Sequence, residues 1–482
     1  MVMSMREKLH HQNADHKVKV ETQHLENMSK AMNVAREYII LFLTYILYKM
    51  TRSFVTTIQK FTWPVTGVEK IRKDAKRGLQ FKQSAHVQKI FWRRKLIAAT
   101  VADPSDFITT HKCFKHPNYV LKPTVSLYCI THDEAIFVET EEKINVYGSD
   151  KAPFVYRQQF AHAHSLIAMP LPSFHKIAQD LGDPKVPVIW ISSTGRCGST
   201  LLSQVFAQLP GMMVIGEPDA LTSLAFLRKS NRVGKREYEQ LLPSAIRLLC
   251  KPDDRAGMIC VKARPCCTAQ VADVNKYFPY FHQIFVYRNS LKTVMSALSI
   301  LSTEPIAVFV RYIDSKVLST ILPCFRRALY HNFCYVLVKD PPKTPPKNLS
   351  SVGIFTTSWA ANISSCLDMI DSNVPIVAIL YEDLMKNTRK SCSVLFDHLD
   401  IRHEYIYAAL EGFKIDSTRG TVGQSMVNLD SRRTIQQPFR VEADGILKKH
   451  GLPKLGERFE VPGMVDFDAT KFSRMDSRDR FF

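Results

Sequence analysis

The stretch VPVIWISSTGRCGSTLLSQVF, residues Val186–Phe206, decides the fold of this chain. It begins with a largely apolar run, continues through a turn rich in Gly, Ser and Thr, and ends in an amphipathic helical pattern. A strand, a small-residue turn and a helix in this order form an anion site, because the N–H groups and the dipole of a helix N-terminus attract negative charge. The stretch therefore predicts a phosphate-binding loop.

The turn between this strand and helix differs from the loop of ordinary nucleotide-triphosphate enzymes. That loop reads G-x-x-x-x-G-K-[ST], and its lysine reaches the outer phosphates. In this chain Ser199 occupies the lysine position, and Arg196 lies three residues earlier. Only AILYEDL approximates a strand that ends in a magnesium-binding aspartate, so a kinase or an ATPase is disfavoured. Six residues are predicted to bind the anion: Gly195, Arg196, Cys197, Gly198, Ser199 and Thr200.

A second motif, FVYRNSLKTVMSAL, combines an arginine with a hydroxyl group. Arg288 ends a buried strand, and Ser296 lies eight residues later, two turns into the following helix. Charged groups at the carboxyl ends of parallel strands lie where α/β sheets bind ligands. Arg288 and Ser296 are therefore predicted to form a second anion site. Taken alone, an arginine that caps its own strand is the simpler interpretation.

Apolar strands alternate with helices from residue 186 onward. The strand segments are VPVIWISS, MMVIGE, GMICVKA, HQIFVYRN and PIVAILYED. This alternation predicts an α/β fold with a three-layer, P-loop-type parallel sheet, preceded by a basic helical N-terminal segment and a small β-rich accessory region. The predicted divisions are a disordered polar arm (1–35), a basic helical, membrane-associated segment (36–100), the accessory region (101–185), the α/β domain (186–415) and a C-terminal extension (416–482).

The N-terminal part of the chain is strongly basic. The net charge is +20, and the first hundred residues contain 19 Lys and Arg against 7 Asp and Glu. Such a charge favours an anionic surface such as membrane headgroups or polyanions as a partner, with a solvated basic arm that has no partner as the alternative, and no nucleic acid is expected. The apolar run Tyr38–Tyr48 has 11 residues, fewer than the roughly 20 that span a bilayer. A short signal anchor, an interfacial amphipathic helix and a buried helix of a soluble domain remain as alternatives.

The cysteines and the glycosylation sequons indicate whether metal sites, disulfides and glycans are expected. Eleven cysteines are present without a CxxC pair or zinc-like Cys/His spacing, so no metal site is predicted. Their odd number and the apolar surroundings of Cys260 favour free thiols, with disulfides in an oxidising lumen as the alternative. Sequons occur at Asn27, Asn348 and Asn362, and Asn362 falls in a predicted helix, where we expect no glycan.

The motif STGRCGSTLL, followed about ninety residues later by YRNSLKTVMS, resembles the sulfotransferase superfamily. This resemblance implies that the chain binds 3′-phosphoadenosine-5′-phosphosulfate as co-substrate. The first motif would hold the 5′-phosphosulfate, and Arg288 and Ser296 would hold the 3′-phosphate. The segment ILYEDLMKNTRKSCSVLFDHLDI and Trp359 extend the resemblance over residues 186–415.

Within that superfamily, the Arg-type loop is most similar to the Golgi tyrosylprotein and carbohydrate sulfotransferases. Cytosolic members carry a loop lysine and a catalytic histidine after a later strand, where this chain offers Lys262 and no histidine. Glu217 stands where several Golgi enzymes place a catalytic glutamate. The resemblance implies a hydroxyl acceptor (carbohydrate, tyrosyl or small molecule) and a Golgi or secretory location, with a cytoplasmic location as the alternative.

The residue types at these positions match the chemistry of sulfuryl transfer. A carboxylate at the mouth of the sheet can accept the proton of the acceptor hydroxyl, and Glu217 is the predicted base, with Asp219 as competitor. A helix N-cap or a salt-bridge partner is the structural alternative for Glu217. Arg196, Lys262 and the loop amides are predicted to stabilise charge in the transition state, without a metal ion. A kinase-like phosphotransferase and a catalytically inactive, membrane-associated binding protein are the alternative functions.

The sequence departs from the Arg-type loop at Cys197, where serine is usual. A neutral replacement and a redox-sensitive thiol are both compatible with a position near a helix N-terminus. The segment IDSTRGTVGQSM (415–426) has the glycines and the basic residue of a loop that covers a nucleotide, but no residue in it is assigned a role.

Overall fold

The computed structural model describes residues 36–37, 39–148, 153–303, 349–416 and 435–467. These residues fall into two compact units. One unit contains the described residues up to Thr66 together with Arg93–Thr100, and the other contains Gly67–Trp92 and the described residues from Val101 onward. The predicted arm (1–35), most of the Pro-rich stretch 339–353 and most of the segment 415–426 lie outside the described residues.

The first unit is built on one long helix, α1 (Ile39–Val65). It is 27 residues long, so it extends beyond the apolar run Tyr38–Tyr48 through part of the segment 36–100 that the sequence predicts as helical. The helix continues because Lys49 and Arg52, which interrupt the apolar run, are themselves good helix formers. Only 6% of its most apolar stretch is buried, which contradicts the alternative of a buried helix in a soluble domain. Within the described ranges it is the one helix with the length and composition to cross a membrane.

The remaining helices and strands follow in chain order. The helices are α2 (Val68–Lys76), α3 (Val155–His162), α4 (Leu171–Leu181), α5 (Ser199–Ala207), α6 (Asp219–Lys229), α7 (Lys235–Leu249), α8 (Val271–Tyr277), α9 (Ser290–Thr303), α10 (Ser351–Asp371), α11 (Tyr381–Leu384), α12 (Thr388–Leu399), α13 (Ile406–Lys414) and α14 (Gln437–Lys449). The strands are β1 (Ala85–Arg93), β2 (Phe107–Lys115), β3 (Val125–Ile130), β4 (Glu134–Glu139), β5 (Ser165–Pro170), β6 (Val188–Ser193), β7 (Met212–Gly216), β8 (Met258–Lys262), β9 (His282–Tyr287) and β10 (Ile376–Leu380).

The accessory region forms a five-stranded sheet in the order β2-β1-β5-β4-β3. β3 pairs with β4, β4 with β5, and β1 with β5, all antiparallel. Strand β1 lies inside the segment 36–100, so the prediction of helix throughout that segment is wrong. The reason is long-range pairing: Val87 lies opposite Ile167, and both are buried in the core between the sheet and its helices. Tertiary packing of this kind overrides local propensity.

The second sheet has the order β10-β9-β6-β8-β7, and all of its pairs are parallel. The predicted α/β fold with a parallel sheet is therefore confirmed. Along β6, Val188 and Trp190 enter one hydrophobic cluster, whereas Ile189 and Ile191 enter another. Each face of the sheet is thus buried, as expected for strands that are apolar throughout. All five strands end at one edge, where the predicted site residues follow.

One segment at β10 differs from expectation. PIVAILYED is predicted as one strand, but β10 ends at Leu380 and YEDL forms the short helix α11. Glu382 and Asp383 lie in its first turn, where acidic side chains favour a helix start. The described part of the C-terminal extension joins the same compact unit: the Ser350 N–H donates to Glu442 in α14 (3.0 Å), and the Val465 N–H donates to the Ala378 carbonyl (2.9 Å).

Candidate active site

The loop between β6 and α5 adopts a left-handed backbone at three positions. The φ angles are +75° at Gly195, +51° at Arg196 and +81° at Gly198. A Cβ atom on Gly198 would lie 2.3 Å from the ring of Tyr381, so glycine is required there for packing as well as for conformation. The loop therefore turns sharply into α5, whose first N–H groups have no partner within the helix and can bind an anion.

The side chains of the loop divide between the core and the sheet edge. Cys197 is fully buried, and its Sγ donates to the Val286 carbonyl (3.1 Å). Ser199 is buried, whereas Arg196 and Thr200 are partly exposed at the edge. Cys197 therefore packs against the sheet, and it can contribute its backbone but not its thiol to an anion at the loop. This burial does not fit a redox-sensitive thiol.

Arg196 brings the two predicted motifs together. Its Nε donates to Ser296 Oγ in α9 at 3.2 Å, although 100 residues separate them in the chain. Burial lowers the pKa of Arg196, and the nearby positive charge of Arg288 lowers it further, while Glu217 acts in the opposite direction. The Arg196 guanidinium therefore lies within electrostatic reach of both Arg288 and Glu217. Arg196 in the loop and Arg288 after β9 form a positively charged environment that an anion would stabilise.

Arg288 follows β9 and is held by contacts on three sides. Its guanidinium carbon lies 4.9 Å from the ring centre of Tyr381, the same ring that packs against Gly198. Its carbonyl accepts a hydrogen bond from Trp359 Nε1 (2.9 Å). Its buried Nε lies 3.8 Å from Glu382 and finds no hydrogen-bond partner among the described residues. Tyr381 therefore connects the loop to Arg288.

A small cavity of about 180 Å³ adjoins Arg288. Lys292 and Arg458 add positive charge to its lining, and Glu382 lies 3.5 Å from Lys292. We call Arg288, Lys292 and Glu382 the Arg288 cluster. One wall comes from the C-terminal segment, where the Gly456 N–H donates to Ser290 Oγ at the start of α9 (3.0 Å). The C-terminal segment, for which the sequence predicted no function, therefore forms one wall of the cavity beside Arg288.

A second group of charges lies at the ends of β7 and β8, and we call Glu217, Asp219, Lys262 and Arg264 the Glu217 cluster. Glu217 has a φ of +52°, and its N–H donates to the Lys262 carbonyl (2.7 Å). Its carboxylate is bonded to the Lys262 ammonium and lies 3.6 Å from Arg264 Nε. Burial raises the pKa of Glu217, but the charges of Lys262 and Arg264 outweigh it, and the net pKa lies below the ordinary glutamate value. Glu217 is therefore ionised at neutral pH.

Asp219, the competing candidate for the base, is enclosed by the protein. Its side chain is fully buried, and one carboxylate oxygen accepts a hydrogen bond from the Ala102 N–H (2.8 Å). The other oxygen lies 2.9 Å from the Arg264 guanidinium. Glu217 keeps 14% of its side-chain surface exposed. A ligand at the sheet edge can therefore reach Glu217 but not Asp219, and the geometry favours Glu217.

Aromatic residues of the accessory region cover the cations of the Glu217 cluster. The Lys262 ammonium lies 5.1 Å from the ring centre of Phe154, and the Arg264 guanidinium lies 4.1 Å from that of Tyr156. Both distances fit cation–π contacts. The approach is close, because a Cβ atom on Gly216 would lie 2.0 Å from the carbonyl oxygen of Pro153. The accessory region therefore forms one wall of the candidate active site.

Sequence reasoning missed Arg264 and the aromatic residues around the site. The role of Arg264 could have been predicted from the sequence, because it lies two residues beyond Lys262 after an apolar strand. Phe154, Tyr156 and Tyr381 carry no local signal, since each acts through a partner far away in the chain. Their roles depend on tertiary packing.

Three further predictions concern metals, thiols and glycans. Within the described ranges, no three His, Cys, Asp or Glu side chains come close enough to hold a metal ion. The nine described cysteines are free thiols, and Asn362 is fully buried and donates to the Ser358 carbonyl (2.9 Å). A glycan on Asn362 is incompatible with this burial. Asn27 and Asn348 lie outside the described residues.

Comparison with known proteins finds similar solved structures. No family model and no curated protein matches the sequence. The chain is similar to the sulfotransferase domain of the Synechococcus PCC 7002 olefin synthase (15% identity, 57% of this chain, 98% of that chain, TM-score 0.29). It is also similar to mouse sulfotransferase SULT7A1 complexed with PAP (12%, 57%, 88%, TM-score 0.31) and to sulfotransferase STF9 from Mycobacterium avium (9%, 59%, 83%, TM-score 0.33). At these identities and TM-scores the site of this chain must itself carry a functional proposal.

Proposed function

We propose that this protein is a sulfotransferase that moves the sulfuryl group of 3′-phosphoadenosine-5′-phosphosulfate to a hydroxyl acceptor. One observation carries the proposal. The loop before α5 lacks a P-loop lysine, its Arg196 is bonded to Ser296 in α9, and its Gly198 packs against the same Tyr381 ring as Arg288. The charge of Glu217 acts on the pKa of Arg196. Two anion sites beside one carboxylate match a donor with two phosphate positions and an acceptor that must lose a proton.

The donor would be held by residues on both sides of the sheet edge. The backbone of Gly195, Cys197 and Gly198, the Arg196 guanidinium and the start of α5 at Ser199 and Thr200 would bind the 5′-phosphosulfate. Arg288 and Ser296 would bind the 3′-phosphate. The residues fit such a ligand, because the buried Arg288 Nε has no hydrogen-bond partner among the described residues and a guanidinium pairs well with phosphate. Glu382 lies beside Arg288, and Lys292 and the Asn289 N–H compensate its charge.

The chemistry assigns Glu217 as general base. The acceptor oxygen forms a bond to sulfur while the bond between sulfur and the bridging phosphate oxygen breaks. Glu217 takes the proton of the acceptor hydroxyl, and the products are a sulfate ester and 3′,5′-adenosine bisphosphate. Arg196 and Lys262 stabilise the charge that develops on the sulfuryl and bridging oxygens, and such preorganised electrostatic stabilisation is usually the largest catalytic effect.

Lys262 has a second role in this scheme, because it controls the basicity of Glu217. In the ligand-free arrangement its ammonium is bonded to Glu217 and lowers the pKa of the carboxyl group. A donor anion competes for the same ammonium. When Lys262 turns towards the donor, Glu217 loses its strongest stabilising partner, and its affinity for a proton rises. The base is therefore activated only when the donor is bound.

The proposal also covers the acceptor class and the location. The wall formed by Phe154 and Tyr156 would line the acceptor side, and it is compatible with a carbohydrate, a tyrosyl group or a small alcohol. We place the enzyme at a membrane because of α1, and the Golgi location that the resemblance implies stays a prediction. A kinase-like phosphotransferase and an inactive binding protein of the same fold are the alternatives that the following experiment separates.

Ligand-induced thermal stabilisation tests the donor site directly. We expect 3′,5′-adenosine bisphosphate to raise the melting temperature of the full chain, whereas 5′-AMP and ATP have much weaker effects. Arg288→Ala should weaken bisphosphate binding by about 10- to 100-fold, because a charge-assisted contact is lost. Arg255→Ala is the matched control, since Arg255 is exposed and pairs with Asp253 before β8.

The outcomes separate the three functions. Stabilisation by ATP that exceeds that by the bisphosphate would favour a kinase-like protein. Bisphosphate binding without sulfuryl transfer to any acceptor in a panel of carbohydrates, tyrosyl peptides and alcohols would favour the inactive binding protein. Absence of any shift with the bisphosphate would overturn the sulfotransferase proposal.

A further inference from the structure

Helix α1 carries an exposed apolar stripe along its whole length. Eight side chains recur at intervals of three or four residues, which places them on one side of an α-helix. All eight are exposed, at 44–88% of their full surface. We call this surface the α1 stripe, and it consists of Ile40, Leu43, Leu47, Met50, Phe54, Ile58, Phe61 and Val65. At 1.5 Å per residue it extends over about 38 Å. An apolar surface of this size marks an interaction site.

The other sides of the helix differ from the α1 stripe. Tyr48 is fully buried, and Thr44 accepts a hydrogen bond from Arg94 Nη2 (2.7 Å) within the same compact unit. Lys49 and Lys60 are exposed, and at 3.6 residues per turn they lie about 130° around the axis from the stripe. The helix therefore has a buried side, an apolar exposed side and a cationic edge between them.

We infer that α1 lies in the plane of an anionic membrane surface, with the α1 stripe inserted among the lipid chains and Lys49 and Lys60 at the headgroups. Amphipathic helices with an apolar face and a lysine-bearing polar edge bind membranes in this orientation. Residues 39–65 contain three basic and no acidic residues, so the charge of the helix complements anionic lipid. This inference does not depend on the proposed activity.

The positions of the cations distinguish lying on the membrane from crossing it. Arg52 stands 13 residues from each end of α1, so a spanning orientation would place it at the bilayer centre, where charged side chains are costly. Arg94, which donates a hydrogen bond to Thr44, stands between two further cations, Arg93 and Lys95. A span would draw these side chains into the hydrocarbon along with Thr44. An in-plane helix keeps all of them on the protein side or at the headgroups.

The width of the apolar surface distinguishes lipid from a second copy of the chain. A pair of helices buries a narrow seam of two positions in seven. In the first three turns of α1, Ile39, Phe42 and Ile46 are also exposed at 39–59%, so the apolar surface there is much wider than such a seam. A lipid surface covers this width, whereas one partner helix leaves part of it in water.

Flotation of the full chain with preformed vesicles tests the orientation and the lipid class. With vesicles of phosphatidylcholine containing about 30% phosphatidylserine, at about 0.15 M salt, we expect most of the protein to float, and with phosphatidylcholine alone at least about fivefold less. The double variant Leu47→Gln/Phe54→Gln should lose about tenfold or more of the binding. Thr57→Gln, an exposed position outside the α1 stripe, is the matched control and should stay within about twofold.

Two further measurements complete the test. Lys49→Gln/Lys60→Gln should remove most of the preference for phosphatidylserine, and alkaline carbonate should release the native protein from cell membranes. Resistance to carbonate with extraction only by detergent would show a spanning helix and overturn the inference. Flotation unaffected by Leu47→Gln/Phe54→Gln would overturn it as well. A dimer that this variant dissociates, without vesicle binding, would assign the α1 stripe to a second copy.

Discussion

The Glu217 cluster and the Arg288 cluster lie at the same sheet edge, but the protein holds their charges very differently. In the Glu217 cluster, Lys262 is 4% and Asp219 0% exposed, and each cation also contacts an aromatic ring. In the Arg288 cluster, Arg288 is 28% and Lys292 56% exposed, and the ion pairs to Glu382 are 3.5–3.8 Å long. One cluster is enclosed and fully paired, whereas the other is open and loosely paired.

This difference is consistent with two separate tasks. Removing one partner of a buried ion pair strongly destabilises the folded protein, because the remaining charge is left in a medium of low polarity. Half-exposed pairs are screened by water and exchange partners at little cost. The Glu217 cluster is therefore suited to hold the proposed base in one position, and the Arg288 cluster is suited to the proposed binding of an incoming phosphate. The predictions below test this contrast, in order of decreasing effect.

Removing the proposed base should have the largest effect. Glu217→Gln keeps the size of the side chain but cannot accept a proton, and we expect sulfuryl transfer to fall by about 10²- to 10⁴-fold. Binding of 3′,5′-adenosine bisphosphate should persist, because the Arg288 cluster is unchanged. Glu404→Gln, at an exposed glutamate paired with Arg402, is the control. Turnover that survives Glu217→Gln within about threefold would remove Glu217 from the mechanism.

Breaking the buried pair of Arg264 and Asp219 should cost the most stability. Arg264→Met leaves the Asp219 carboxylate fully buried without its cation, and such a loss costs about 3–5 kcal/mol. Arg288→Met in the open cluster is the matched control, and we expect a change of about 1 kcal/mol or less. Urea unfolding of both variants measures the difference. Equal losses of stability would show that the two clusters are not held differently.

The elements that position these clusters could be predicted from the sequence, but most of their packing could not. The ends of β6, β8 and β9 follow from apolar runs bounded by small or charged residues, and the strands place Arg196, Lys262 and Arg288 at one edge. The Glu217 position followed from a resemblance of motifs. The prediction of helix over 36–100 failed at β1, because its pairing with β5 joins segments about eighty residues apart.

The contacts that hold the residues of this sheet edge join segments that are still farther apart in the sequence. Asp219 is bonded to the Ala102 N–H, 117 residues away, and Tyr287 in β9 is bonded to the Phe459 carbonyl, 172 residues away. A single sequence contains no periodicity that reports such pairs. Two glycines are the local sign of such contacts. Tyr381 approaches Gly198, and Pro153 approaches Gly216, too closely for a side chain to fit.

The lowered pKa of Glu217 gives a prediction for pH. Its ionised form stabilises the folded chain above the ordinary glutamate pKa of about 4.3, and this contribution is lost as the pH falls through the lower folded value. Lys262→Met removes the main cation that lowers the pKa, while burial still raises it. The acid limb of the stability of the ligand-free protein should therefore move to higher pH. Acid unfolding followed by circular dichroism measures it, with Lys292→Met as the control, and an unmoved limb would contradict the assigned role of Lys262.

The smallest effect is expected at the exposed edge of the Arg288 cluster. Lys292 is 56% exposed and lies 3.5 Å from Glu382, so the pair is screened by water. Lys292→Ala should change the free energy of bisphosphate binding by less than about 1 kcal/mol, or about fivefold in affinity. Most of that change should disappear at high salt, because exposed charges act through a screened field.

Calorimetric titration of the bisphosphate at low and high salt measures the effects of Lys292→Ala and Arg288→Ala on affinity. If Lys292 and Arg288 contributed equally and without salt dependence, the phosphate would be bound in an enclosed site, and the contrast between the two clusters would fail. A weak, salt-sensitive effect at Lys292 beside a strong one at Arg288 would instead locate the phosphate against the buried Arg288 Nε. In that case the open cluster is open at its rim alone, and its inner arginine holds the ligand.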